Sequence, residues 1–243
     1  MLEGSTAVEV VANAPTPQKA KDRSIPKWEV ETRARLNTAV KRYYKPLADL
    51  IARDANEGDT RLLVTDFLCE ALGYDKYNDL TTEYQVKGEF ADYGVRIDKQ
   101  LVGFIEVKRV ATKLDAKHLR QVEMYAVNEG VEWMILTNGA NWKVYHLSPG
   151  MPIVVDLALD ISLNDKDSAQ FFYLTRESFK RGQIDILWKA AKATSPKSVA
   201  QVLTSESVLT AIQKELRRQT GHAVTSEEVS SLLHGILRPE CFD

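Results

Sequence analysis

The chain has 243 residues, of which 44% are hydrophobic and 27% charged, a composition that excludes the disordered and membrane-embedded classes. A formal charge of −2 excludes a protein that coats nucleic acid by bulk electrostatics, so any contact with DNA has to be local. Cys69 and Cys241, the two cysteines, exclude a disulfide framework and a cysteine-based zinc site.

Residues 1–26 carry Pro15, Pro17 and Pro26 among small and polar residues and read as a flexible N-terminal segment. Glu3 and Glu9 stand where a secretory leader would be basic, and no apolar run reaches about 18 residues, so the expectation is a cytoplasmic protein with no membrane contact. From Trp28 to about Ala55, apolar residues at Leu36, Val40, Tyr44, Leu47, Leu50 and Ile51 recur every three or four positions, which predicts an amphipathic helix that Pro46 kinks or splits. Asp59-Thr60 reads as the N-cap of a second helix that presents Leu63, Phe67, Ala71 and Leu72 and stops at Gly73.

The period then changes. Residues 80–87, 90–98 and 101–109 read as three strands joined by short turns, an antiparallel meander. Residues 115–129 return to helical spacing, and 132–137 and 142–147 read as two further strands around the turn Asn138-Gly139-Ala140-Asn141. From about residue 160 the chain looks mainly helical. The expected organisation is therefore a flexible segment 1–26, an α/β domain at 27–160 and a helical C-terminal region at 161–243.

Chemistry concentrates in the strand LVGFIEVKR. Alternation puts Val102, Phe104, Glu106 and Lys108 on one face, and that face should be open to water or a ligand at its charged end, because burying an unmatched charge is costly. A hairpin through Asp98-Lys99-Gln100 folds Asp92 back beside Glu106. Two carboxylates near one ammonium suit phosphodiester hydrolysis: the hard oxygens can hold Mg²⁺, with Mn²⁺ a substitute, and the lysine adds fixed positive charge. Asp92, Glu106 and the main-chain carbonyl of Val107 would ligate the metal, while Lys108 would orient water and stabilise the transition state. The plain alternative for this common set of residues is a solvated ion pair on a strand edge.

The order of elements decides between the two. Helix, three-strand meander, helix and strand, with Asp on the second strand and Glu-Val-Lys on the third, resembles the PD-(D/E)xK nuclease core, a restriction-endonuclease-like mixed sheet flanked by helices. The runs NEGDTR (56–61), ALGYD (71–75), TEYQV (82–86), ADYGV (91–95), FIEVKR (104–109), QVEMYA (121–126) and ILTNGANWKVY (135–145) resemble the N-terminal nuclease domain of type I restriction enzyme R subunits. That resemblance implies catalytic roles for Asp92, Glu106 and Lys108. It also implies DNA contacts for Gln121 and Tyr125, which lie four apart on one helix face; an ordinary core-boundary tyrosine is the alternative.

Many nucleases of this group take a further acid from the helix ahead of the strands, where Glu57, Asp59 and Asp66 are candidates; Glu83 at the first strand is another. Ala91-Asp92 departs from Pro-Asp but spares the carboxylate. No G-x-x-x-x-G-K-[ST] run occurs in these residues, so no ATP-driven motor is encoded in them: either the chain is a stand-alone nuclease-like protein, or a protein partner supplies motor or specificity. His118, His146, His222 and His234 lack metal-binding spacing. The reading is a metal-dependent DNA endonuclease in restriction or another defence role; its alternative is a nuclease-fold regulatory module acting with a partner. Oligomeric state is left open.

Overall fold

The computed structural model describes residues 25–164 and 168–241. The segment 1–26, expected to be flexible, lies outside the described residues apart from Ile25 and Pro26. The long helix expected over 28–55 is two helices, α1 (Lys27–Arg42) and α2 (Tyr44–Ala52), which break at Tyr43. Pro46 falls in the first turn of α2, where its missing N–H would have had no partner inside the helix, so it is accommodated without a kink.

Helix α3 (Glu57–Asp66) begins earlier than Asp59-Thr60 suggested. Asn56 is the N-cap, its side chain accepting from the Asp59 amide at 2.8 Å, so Asp59 is a capped residue and not the cap. A π-helical turn, Phe67–Ala71, extends α3, and Gly73 at φ 81° ends it in the left-handed region.

The meander is β1 (Leu80–Val86), β2 (Glu89–Ile97) and β3 (Gln100–Val107). Helix α4 (Ala116–Glu129) then crosses to β4 (Trp133–Thr137), which pairs parallel with β3. Strand β5 (Asn141–Ser148) follows, and so does β6 (Val154–Ser162), a strand the sequence reading did not foresee. The six strands lie in sequence order, with every pair except β3 and β4 antiparallel. All of β4 is buried, as expected for a central strand covered on both faces.

On one face α4 packs Val122, Tyr125 and Ala126 against Phe104, Met134, Leu136 and Tyr145. On the other, Phe67 meets Tyr43, Trp142 and Phe171 with ring centroids 5.1, 5.3 and 5.0 Å apart. Each such fully buried large side chain contributes roughly 1.5–3 kcal/mol. Phe171 belongs to a 3-10 turn, Ser168–Leu174, and its packing on Phe67 and Trp142 carries the first unit past residue 160. Helices α5 (Arg176–Lys180) and α6 (Gln183–Ala193) follow; the first unit ends at Asp185 and the second is Ile186–Asp243.

The second unit contains α7 (Pro196–Leu203), α8 (Glu206–Thr220) and α9 (Ser226–Ile236), with α7 capped by Ser195 and α9 by a Thr225–Glu228 capping box. Trp188, Ala200, Leu209 and Val229 are its buried apolar residues among those described, whereas Val199, Val202, Leu232 and Ile236 are exposed. Among the described residues, no helix is long and apolar enough to cross a membrane.

Candidate active site

The site forms where the β2–β3 ladder stops. Pairing runs from Ile97↔Gln100 to Tyr93↔Ile105, and beyond it the Val107 amide donates to Asp92 Oδ2 at 2.7 Å. A carboxylate thus takes the place of a main-chain acceptor. On the other side of β2 the register passes from Thr82↔Tyr93 to Tyr84↔Ala91, leaving Glu83 and Asp92 out of it. Glu83 sits there at φ 50°, a conformation that is strained for a residue with a Cβ. This irregularity lets Ala91 join the α4 face of the core while Asp92 reaches an arginine of α3.

Glu106 is 3% exposed and Asp92 7%, so of the two expectations for the charged end, water or a ligand, the first fails. The charges are buried because they are matched in place. Lys108 Nζ donates to Glu106 Oε1 at 2.6 Å and to Gln121 Oε1 at 3.3 Å. Asp92 Oδ1 pairs with Arg61. The match is incomplete: Glu106 Oε2 is buried with no hydrogen-bond partner.

Both carboxyls are pushed above their ordinary range. Burial is the main cause at Asp92, opposed by the Val107 amide and Arg61. At Glu106 burial comes first and the negative charge of Asp92 second, and together they outweigh Lys108 and the Asp92 main-chain amide. A site that resists ionisation of both acids, with one oxygen orphaned, has the character of one short of positive charge. Two carboxylates with an orphaned oxygen make a hard-oxygen donor set, and it fits a divalent cation.

Gln121 and Tyr125 do share a helix face, but they end differently. Gln121 is half-buried and holds Lys108, whereas Tyr125 is fully buried, contrary to the expectation that its hydroxyl meets DNA. Gln121 Nε2 donates to the Tyr125 hydroxyl at 2.9 Å, and that hydroxyl donates to the Phe90 carbonyl at 2.9 Å. The chain Glu106–Lys108–Gln121–Tyr125–Phe90 ties the site to α4 and the start of β2. Removing its last side-chain link leaves the Gln121 amide and the Phe90 carbonyl, both part-buried, without this partner. Tyr125→Phe is therefore expected to lower stability by about 1–2 kcal/mol in urea denaturation. An unchanged midpoint would show that the hydroxyl holds nothing in place.

Of the further acids, Asp59 is engaged by Arg53 at 2.8 Å, and the charge of Asp66 bears on Tyr43 and Cys69. Glu57 and Glu83 do approach the site, at 3.8 and 3.9 Å from the guanidinium of Arg61. Arg61 is the residue that sequence reasoning missed. Its signal was present: it ends the run NEGDTR, one helical turn after Glu57. With this arginine among the acids, no three His, Cys, Asp or Glu side chains come together as an ion-binding group among the described residues. His118 closes the capping box of α4 with Asp115 and does not point to metal chemistry.

A shallow depression near the β2–β3 turn is lined by Asp75, Asp79, Asp98 and Arg176. Its charges satisfy one another, with Arg176 on Asp79 at 2.6 Å and Lys180 on Asp98 at 2.9 Å, so it is a closed ion network and not a reactive site.

A mixed sheet flanked by helices, with buried acids at the frayed end of its central hairpin, defines the restriction-endonuclease-like class of α/β fold. Within it, residues 56–157 match the family model of the type I restriction enzyme R protein N terminus, a stretch that contains Glu57, Arg61, Asp92, Glu106, Lys108 and Gln121. No curated protein and no solved structure matches the chain.

Proposed function

We propose that the chain is a metal-dependent DNA endonuclease of the PD-(D/E)xK type that hydrolyses phosphodiester bonds in restriction or another defence role in the cytoplasm. The observation that carries this reading is the buried pair Asp92 and Glu106 with its orphaned Glu106 Oε2, held against Lys108 within the segment that matches the restriction family. A surface ion pair would be exposed on both sides and fully satisfied.

Asp92, Glu106 and the Val107 carbonyl would hold Mg²⁺, or Mn²⁺ in its place, which when bound supplies Lewis acidity and lowers the pKa of coordinated water. The protein's own groups do the rest. Lys108, steered by Glu106 and Gln121, presents an ammonium where charge builds on the phosphorus oxygens. Gln121, braced by Tyr125, keeps that ammonium from swinging out to solvent. DNA is the proposed substrate, and the exposed apolar side chains of the second unit, Val202, Leu232 and Ile236 among them, support a protein partner that brings motor or specificity.

Incubation of the purified chain with supercoiled and linear DNA is the test: nicking with Mg²⁺ or Mn²⁺ and none in EDTA is expected. Absence of cleavage with either metal, by the chain alone and with its partner, overturns the reading. Calorimetry gives an independent result. Asp92→Asn and Glu106→Gln should each weaken Mn²⁺ binding at least about tenfold, since each removes a charged ligand; parent-like affinity in both would remove the metal from this site.

A further inference from the structure

Arg61 reaches three of the acids around the site. Its guanidinium pairs with Asp92 Oδ1 and stands 3.8 Å from Glu57 and 3.9 Å from Glu83, three carboxylates from three elements. Its Nε is buried without a hydrogen-bond partner, so this seat does not satisfy the guanidinium. On the far side of the same site the unsatisfied atom is an acceptor, Glu106 Oε2. A donor and an acceptor are thus both left unpaired around Asp92, although buried polar groups in native proteins are nearly always paired.

We propose that Arg61 is a tethered counter-cation that holds the acids together when no metal is present and gives up Asp92 to a divalent cation when one enters. This inference rests on the proposed metal site. Electrostatics favours an exchange of this kind, because a guanidinium and a dication on one carboxylate repel each other in a poorly solvated site. The side chain is 32% exposed, with Glu57 one turn back on α3 and Glu83 on β1 as the next carboxylates within reach. Glu57 and Glu83 stand at nearly the same distance from the guanidinium, so either can take it up. Arg61 is accordingly a positioning residue that sets metal affinity.

The prediction is opposite in sign to that for an ordinary active-site residue. Removing Arg61 should strengthen metal binding. Mn²⁺ is titrated calorimetrically into the full chain carrying Arg61→Gln, Arg61→Lys or Asp92→Asn, and thermal midpoints are taken in EDTA and in Mn²⁺. Arg61→Gln is expected to bind Mn²⁺ about tenfold more tightly than the parent and to melt lower in EDTA, with Mn²⁺ recovering more stability than it gives the parent. Arg61→Lys, which keeps the charge but not the planar guanidinium, should lie between them, and it carries the test if Arg61→Gln does not fold without metal. Affinity for Mn²⁺ that is unchanged or weaker in both arginine variants overturns the proposal. If Asp92→Asn still loses binding in that case, the metal site itself stands. Failure of the parent and every arginine variant to bind Mn²⁺ overturns both.

Discussion

Lys108→Ala should reduce DNA cleavage by about a hundred- to a thousandfold while leaving Mn²⁺ and DNA affinity within about threefold of the parent. The lysine is spoken for in the resting site, donating to Glu106 and Gln121, so little of its charge is available to bind substrate before reaction. Its value lies in the transition state, where negative charge on phosphorus oxygens grows. Single-turnover rates measured beside equilibrium binding separate the two effects. A loss of DNA affinity as large as the loss of rate would make Lys108 a phosphate anchor instead.

Glu106→Gln should abolish cleavage and yet make the metal-free protein more stable, by about 1 kcal/mol at neutral pH. Gln keeps an oxygen to accept from Lys108 and removes a charge that burial and Asp92 both oppose. The pH dependence follows. A carboxyl whose folded pKa is raised holds its proton more tightly in the folded chain, so the stability it lends is complete below the ordinary carboxylate value, about 4, and is lost as pH rises through the raised one. Asp92 and Glu106 are both of this kind. The parent in EDTA should therefore lose stability as pH rises from about 4 towards neutrality, and Glu106→Gln should lose less of it. Urea midpoints across that range decide the matter. A variant that is less stable than the parent at pH 7 would mean that the Glu106–Lys108 pair outweighs the cost of burying it.

Much of this was legible because the relevant signals are local and periodic. Strands β1 to β5 and helix α4 announce themselves through alternation and three-four spacing, and the hairpin that brings Asp92 to Glu106 is a consequence of chain length between them. What sequence hid was long-range or depended on burial. Strand β6 alternates Leu157, Leu159 and Ile161 with Asp156, Ala158, Asp160 and Ser162, but it pairs at the sheet edge and its acids mimic a loop. Phe171 looked like part of a helical tail until its packing on Phe67 and Trp142 put it in the first core. Tyr125 could not be told from a surface residue, since a four-residue spacing fixes a face of the helix but not how deep that face lies. Arg61 was passed over because arginine on an amphipathic helix usually solvates it, and only the three acids gathered from α3, β1 and β2 give it another meaning.

The peptide group joining Val107 to Lys108 is pinned by the sheet, its N–H donating to the Thr137 carbonyl on β4 at 2.7 Å. In the proposed site its oxygen is a ligand, and that oxygen is supplied by the backbone, so no side-chain replacement at position 107 can delete it. What guards it is the parallel register between β3 and β4, with Val107 opposite Thr137. Inheritance of the site is thus of two kinds: the acids and the lysine are written in the codons, whereas the third ligand is written in strand pairing. If the proposed site holds, damage to β4, which carries no charged side chain of its own, would disarm the protein while every recognisable motif letter is still in place.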